Sequence, residues 1–355
     1  MARVQFNECE QGETMPAIQD IGVDLGTSHI LIYMRGRGIV LREPAVVAVD
    51  RDLNRVVAMG EDAYRLIGRT PGNIQAIRPL RQGAILDYDL VKALLTDMIG
   101  KVTGKHRLAR PRAVLSVPSG VNDMEKRSII GMMFDAGMRR TQMLDRPIAA
   151  ALGVGMRFDE AYGSMIVDIG AGITDVAVLS MNEVSVGASL PVGGDYLDDA
   201  VIRYLRKKHN LLIGERTAEE VKITLGSAVA PLAGESMEVT GRNLVSGLPK
   251  TQRITATEIY EALREPVDDL IEAIQAVLER TPPQLAADIF DEGIVLTGGG
   301  AALPGLADAV YDSLKIPCAV ADDPQTSVVM GCGRALEDTP IMRSLLDDNK
   351  RRLRR

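Results

Sequence analysis

MIVDIGAGITDVAVL, residues 165–179, reads as an apolar strand that ends in an Asp-x-Gly turn and returns as a second apolar strand. The stretch IGVDLGTSHILIYM, residues 21–34, has the same form, with its turn at Leu25-Gly26-Thr27-Ser28. Glycine permits the positive φ that such turns often need. One Asp-x-Gly turn is an ordinary hairpin. Two in matching strand–turn–strand contexts point to a chain built from two related halves. A third glycine signal closes the pattern, where the strand at Gly293–Thr297 runs into Gly298-Gly299-Gly300, followed by a helix near Pro304.

Between these landmarks strands and helices alternate, which implies an α/β core. Ala113–Val117 reads as a short buried strand. Asn122 with Glu125 forms a capping box for a helix that places Ile129, Met133 and Ala136 on one face. After Gly193-Gly194-Asp195 comes a helix carrying Leu197, Val201, Tyr204 and Leu205, and Thr217 with Glu220 is expected to cap another. The expected organisation is a polar leader over 1–19, a first lobe over 20–154 with a small subdomain at about 45–89, and a second lobe over 155–331 with a small subdomain at about 193–264. A segment over 332–355 then returns to the first lobe and ends in a basic tail.

Composition narrows the function classes. The 355 residues suffice for two or more domains, and 46% hydrophobic with 25% charged residues is an ordinary globular balance. A net charge of −7 argues against nucleic acid as a partner, since phosphate neutralisation needs a surplus of Lys and Arg. Cys9, Cys318 and Cys332 are far apart and odd in number, which suits a reducing cytoplasm better than a disulfide framework. The longest uncharged run, Gly293–Ala307, is fifteen residues broken by glycines and a proline, whereas a membrane helix needs about 20 apolar residues.

Both turns could aim backbone N–H groups and a hydroxyl at phosphate oxygens, because small residues let the main chain approach an anion. Asp24 and Asp168 would then hold magnesium, through water. Neither GxxxxGK[ST] nor GxGxxG occurs, so P-loop and Rossmann sites are not supported.

IGVDLGTS, RTPGNIQAIRPLRQGAILDYD, VDIGAGITDVAV, IGERTAEEVKITLG and GIVLTGGGAALPGL resemble, in order and spacing, the MreB family of bacterial actins, within the actin, heat-shock chaperone and sugar kinase superfamily. The likeness runs from about Ile21 to Met342. The phosphate turns are general to the superfamily; RTPGNIQAIRPL and GERTAEEVK are specific to MreB-like proteins. The resemblance implies an actin-like fold of two ribonuclease H-like lobes, each with a smaller subdomain, and ATP or ADP with magnesium in the cleft between them. It implies that Thr27, Ser28 and His29 form the first phosphate turn and Gly170, Ala171 and Gly172 the second. Asp24 and Asp168 would organise the metal. Glu219, Glu220, Val221 and Lys222 would contact the nucleoside, and Gly298, Gly299, Gly300 and Ala301 would form the adenosine loop. By spacing alone Glu219 and Lys222 are a surface i,i+3 ion pair.

Two departures stand out. The family usually carries Glu-Pro where this chain reads Asp145-Arg146-Pro147, and Thr where it has Ile173. The residues expected to position the attacking water are therefore missing, and Arg146 cannot replace the carboxylate because guanidinium has five donors and no acceptor. Arg146 would either hold the terminal phosphate or turn out to solvent, and hydrolysis is expected to be weak or absent.

The function so implied is a filament-forming polymer of this chain with itself, organising cell-wall synthesis and cell shape with the cell-wall elongation machinery and its membrane proteins. A small-molecule kinase of the same fold is the alternative. A chaperone ATPase would need a further domain, and only about fifty residues follow the glycine loop. The loop Lys105-His106-Arg107-Leu108-Ala109-Arg110 and the tail Asn349–Arg355 are basic rather than apolar. Attraction to an anionic membrane surface at the inner face of the cell membrane should then be electrostatic.

Overall fold

The computed structural model describes residues 19–70, 72–104, 110–231 and 234–337. The leader through residue 18 with Cys9, the basic loop at 105–109 and the tail beyond 337 lie outside the described residues.

Two five-stranded sheets form the frame. In the first, the spatial order is Gly38–Pro44, His29–Met34, Ile21–Leu25, Arg112–Val117 and Arg140–Asp145. The second repeats this order with Glu183–Leu190, Thr174–Ser180, Ser164–Ile169, Ile294–Thr297 and Cys318–Val320. In both, the first three strands are an antiparallel meander and the last two join parallel to its first strand. The repeat seen in sequence is therefore a repeat of topology, and it places Asp24 and Asp168 near the ends of equivalent central strands.

Each sheet buries its own apolar cluster. Ile21, Val23, Leu94, Leu95, Met98 and Leu115 belong to the first; Met165, Val167, Leu263, Ile274 and Leu296 belong to the second. The capping box is present as expected: Asn122 accepts from the Glu125 N–H at the start of helix Asp123–Asp135. The helix carrying Leu197, Val201 and Leu205 runs Gly194–His209. The helix expected to be capped at Thr217 starts earlier, at Glu215, with Gly214 as N-cap and no side-chain cap. Thr217 is therefore an interior residue of that helix. Among the described residues no helix is long and apolar enough to cross a membrane.

Smaller units sit on both lobes. Strands Val47–Asp50, Arg55–Met59 and Ile74–Ile77 make a separate sheet over Val46, Ala48 and Ala63. Strands Leu211–Leu212, Ser236–Asn243 and Pro249–Thr255 make another. Helix Ala256–Glu279 continues unbroken from that second sheet into the lobe, across residue 264.

The lobes meet along two helices. Arg146–Val154 follows directly from the strand Arg140–Asp145, with Pro147 in its first turn, where the missing N–H has no partner to lose. It crosses Ser327–Arg334 at backbone contact: a Cβ on Gly153 would sit 1.7 Å from the Ser327 carbonyl oxygen, and one on Gly331 would sit 1.7 Å from that of Ala149. Helix Ser327–Arg334 also lies on the first lobe, where Cys332 abuts Gly22.

Candidate functional site

Between the lobes lies a cavity of about 460 Å³, within the range of small-molecule sites. Asp24, Gly26, Thr27, Ser28 and His29 line it from the first lobe, and Asp168, Gly170, Ala171, Gly172 and Ile173 from the second. Glu219, Lys222 and Gly298–Gly300 complete the wall. A larger hollow of about 950 Å³ runs beside Val154–Glu160 and Ala319–Asp323, but neither turn reaches it.

The glycines of the turns are explained by close approach rather than by positive φ. A Cβ on Gly26 would lie 2.6 Å from the His29 carbonyl oxygen; one on Gly172 would lie 2.6 Å from Thr27 Oγ1, on the opposite turn. The two turns thus touch across the cleft. Gly298 differs, since it sits at φ +82° with Asp168 and Ile169 against it. Gly193–Asp195 proves part of the site: the Gly194 and Asp195 N–H groups donate to the Gly170 and Ala171 carbonyls at 3.0 and 2.8 Å, pinning the second turn from outside. The sequence signalled only a helix start there.

Not every expected contact residue faces the cavity. Val221 is in the core of the second lobe, Glu220 is exposed on the far side of its helix, and Ala301 is buried beneath the loop. For the helix Glu215–Leu225 its period accounts for this: Glu219, Lys222 and Ile223 share the face that lines the cavity, and Glu220 and Val221 between them turn away. Nor are Glu219 and Lys222 a surface ion pair. Lys222 pairs with Asp198 at 2.9 Å and donates to the Gly194 carbonyl at 3.1 Å. Glu219 accepts from the Tyr64 hydroxyl at 3.3 Å, across the lobes. The Tyr64 ring lies under the Arg216 and Arg78 guanidinium groups at 5.0 and 5.9 Å. Neither Tyr64 nor the Arg42–Gln325 bond, which spans the cavity wall, had a sequence signal.

The largest departure from expectation concerns Arg146. It does not turn to solvent: only 9% of the residue is exposed. Its Nε donates to Asp168 Oδ2 at 2.9 Å and its Nη2 donates to Asp24 Oδ1 at 2.7 Å. Asp24 Oδ1 also accepts from Ser116 Oγ at 2.8 Å. One guanidinium therefore bridges the two carboxylates expected to hold magnesium, one from each lobe. Burial works against its charge, but Asp24, Asp168 and Asp175 outweigh that and raise its pKa. Burial pushes Asp175 up to about 6, opposed by Ser189 and Arg146. The carboxylates do not fit a divalent ion in this arrangement: one bridging them directly would have to displace a buried cation from both, and one held through water would share the site with that cation.

Ile173, the second departure, is buried and packs on Gly83 in the tight turn between Leu80–Arg81 and Ala84–Ile85. It contributes an apolar surface where a hydroxyl was expected. His29 stays neutral, its pKa lowered by burial and by Arg42 and Arg78.

Comparison with known proteins gives the family and the fold. A family model described as MreB/Mbl protein matches residues 18–344. The chain is 42% identical over 320 residues to the cell shape-determining protein Mbl of Bacillus subtilis, covering 90% of this chain and 96% of that protein. It is 44% identical over 323 residues to the cell shape-determining protein MreB of Escherichia coli, covering 90% and 93%. The crystal structure of Spiroplasma citri MreB5 bound to ADP superimposes with a TM-score of 0.86 at 33% identity, covering 91% of this chain and 97% of that one. The chain belongs to the MreB/Mbl family of cell shape-determining actin homologues and has the actin-like fold.

Proposed function

We propose that this chain binds ATP and ADP in the interlobe cleft and assembles head to tail into cytoskeletal filaments that organise cell-wall synthesis and cell shape. The carrying observation is the pair of equivalent Asp-x-Gly turns meeting across one cavity, with Gly298–Gly300 beside them. The ADP bound to the Spiroplasma relative supports the nucleotide assignment. Thr27–His29 and Gly170–Gly172 would take the phosphates; Glu219, Lys222 and the glycine loop would take the nucleoside. The reading includes lobe boundaries near residues 154 and 331, a cytoplasmic site of action at the inner face of the membrane, and the cell-wall elongation machinery as partner.

A head-to-tail contact is heterologous, and it propagates because its rotation does not close a ring. Turnover by hydrolysis is slow in this reading: Arg146 offers no acceptor for a water, and Ile173 offers no hydroxyl. A sugar or acid kinase is not favoured, because such an enzyme needs a carboxylate to accept the substrate proton and Arg146 stands at the corresponding place.

Sedimentation and electron microscopy with ATP, with ADP and without nucleotide, with phosphate release measured on the same samples, test the proposal. Filaments should form with little phosphate released. Monomers or closed dimers in all three states would overturn the filament reading, and rapid release would overturn the slow-hydrolysis reading.

The glycine loop offers a cleaner probe of the cavity. A Cβ on Gly299 would meet nothing within 4 Å, whereas one on Gly300 would strike Ile169 at 2.3 Å. Because Gly299 lines the cavity and a Cβ there meets open space, Gly299→Leu should crowd the cleft mouth with little strain on the fold. ATP affinity should fall tenfold or more, roughly 1.4 kcal/mol, at unchanged melting temperature. Unchanged affinity would place the nucleoside elsewhere.

A further inference from the structure

We propose that Arg146 is the resident cation of the cleft, so that nucleotide binds without needing a divalent metal. The inference rests on the nucleotide reading above and deepens it.

Asp24 and Asp168 are 6% and 2% exposed, come from opposite lobes, and stand beside the two turns. Left alone, such a pair repels and attracts a hard divalent cation, whose natural ligands are carboxylate oxygens. Arg146 takes that place. Its Nε and Nη2 reach one carboxylate each, in the directional geometry that makes charge-assisted bonds strong. The carboxylates are largely committed: Asp24 Oδ1 already accepts from both Arg146 and Ser116, Asp168 Oδ2 accepts from Arg146, and Asp168 Oδ1 lies against Gly298, where even a Cβ would approach to 2.5 Å. A divalent ion entering here would meet the guanidinium as a like charge in a site where water screens little.

The same guanidinium is placed to serve the anion. It lines the cavity, and its Nη2 lies 3.8 Å from where a Cβ on Gly26 would be, directly against the first turn. Of its five N–H donors, the bonds to Asp24 and Asp168 use one each on Nη2 and Nε, leaving others for phosphate oxygens. Arginine also holds its charge at every accessible pH, so this cation cannot be lost to chelation or to proton release.

The test uses the full chain. ATP affinity is measured by calorimetry in EDTA and in saturating magnesium, and melting is followed with and without Mn²⁺ in the absence of nucleotide. The wild type should bind ATP within about threefold under both conditions and show no Mn²⁺-dependent rise in melting temperature. Arg146→Gln frees both carboxylates; its melting temperature should rise with Mn²⁺, and its ATP affinity should fall about tenfold or more in EDTA. A wild type that loses ATP affinity about tenfold in EDTA, or that Mn²⁺ stabilises, overturns the proposal whatever the variant does. Failure to bind ATP in any condition would instead defeat the nucleotide reading, and the Mn²⁺ measurement would still decide whether Arg146 occupies the metal position.

Discussion

Arg146→Gln should lower the stability of the nucleotide-free protein by about 3–5 kcal/mol, seen as a fall of roughly 4–7 °C in melting temperature. The magnitude comes from what is left behind rather than from the bonds lost. Asp24 and Asp168 are buried, and removing their shared partner leaves two like charges without a cation. Burial already pushes the Asp168 carboxyl up against the opposing pull of Arg146, so in the variant only the upward influences remain. A carboxyl with a folded pKa above its unfolded value binds protons more readily when folded. It therefore destabilises above the folded pKa, and the penalty fades as the pH falls towards the unfolded value. The deficit of the variant relative to wild type should shrink between about pH 7 and pH 4. Adding Asp24→Asn and Asp168→Asn should recover most of the loss at neutral pH, since a neutral cluster has no unpaired charge to bury. Equal melting of wild type and Arg146→Gln at pH 7 would mean that the bridge does not hold the lobes together.

The pattern that decided the fold was local, and so it was legible. Each Asp-x-Gly turn sits between two strands a few residues apart, and the repeated motif led directly to two sheets of identical order. The capping box at Asn122 and Glu125 was equally short-range. What sequence could not provide was the partner of a buried side chain. Arg146 lies 22 residues from Asp168 and 122 from Asp24, so its spacing carried no hint that one guanidinium would join both. The substitution was visible; its consequence required the lobes to be brought together. Tyr64 and Glu219, separated by 155 residues, are a second case. The start of the helix at Glu215 was missed for a different reason: Thr217 and Glu220 have capping-box spacing, but Gly214 ends the preceding extended segment first. The four residues Glu219–Lys222 show the limit of carrying a motif over as a block, because only one face of a helix, its i, i+3 and i+4 positions, can meet a given cavity.

Gly331→Ala should destabilise the protein by about 3 kcal/mol or more, against the direction that helix propensity gives. In an exposed helix Ala is favoured over Gly by roughly 0.5–1 kcal/mol, because glycine has more backbone freedom to lose. Gly131 supplies that case within this chain: it lies in helix Asp123–Asp135, is exposed, and a Cβ there would meet nothing within 4 Å. Gly131→Ala should therefore be neutral to stabilising. At Gly331 the added carbon would stand 1.7 Å from the Ala149 carbonyl oxygen, and at Gly153 a Cβ would stand as close to that of Ser327. These obstacles are backbone atoms within helices, so no side-chain rotation relieves the clash and the helices must separate. Overpacking a core typically costs about 1–3 kcal/mol when neighbours can adjust, and here they cannot without moving as units. Separation would also reach the cleft, because helix Arg146–Val154 starts at Arg146 and a shift of its axis moves the guanidinium away from Asp24 and Asp168. Part of the cost of Gly331→Ala is then the same bridge that Arg146→Gln removes. The double variant should lose less than the sum of the two single losses, by about 0.5 kcal/mol or more, the signature of coupled sites. Strict additivity in a double-mutant cycle would show that the helix contact and the arginine bridge are independent, and that the glycines serve only to join the lobes.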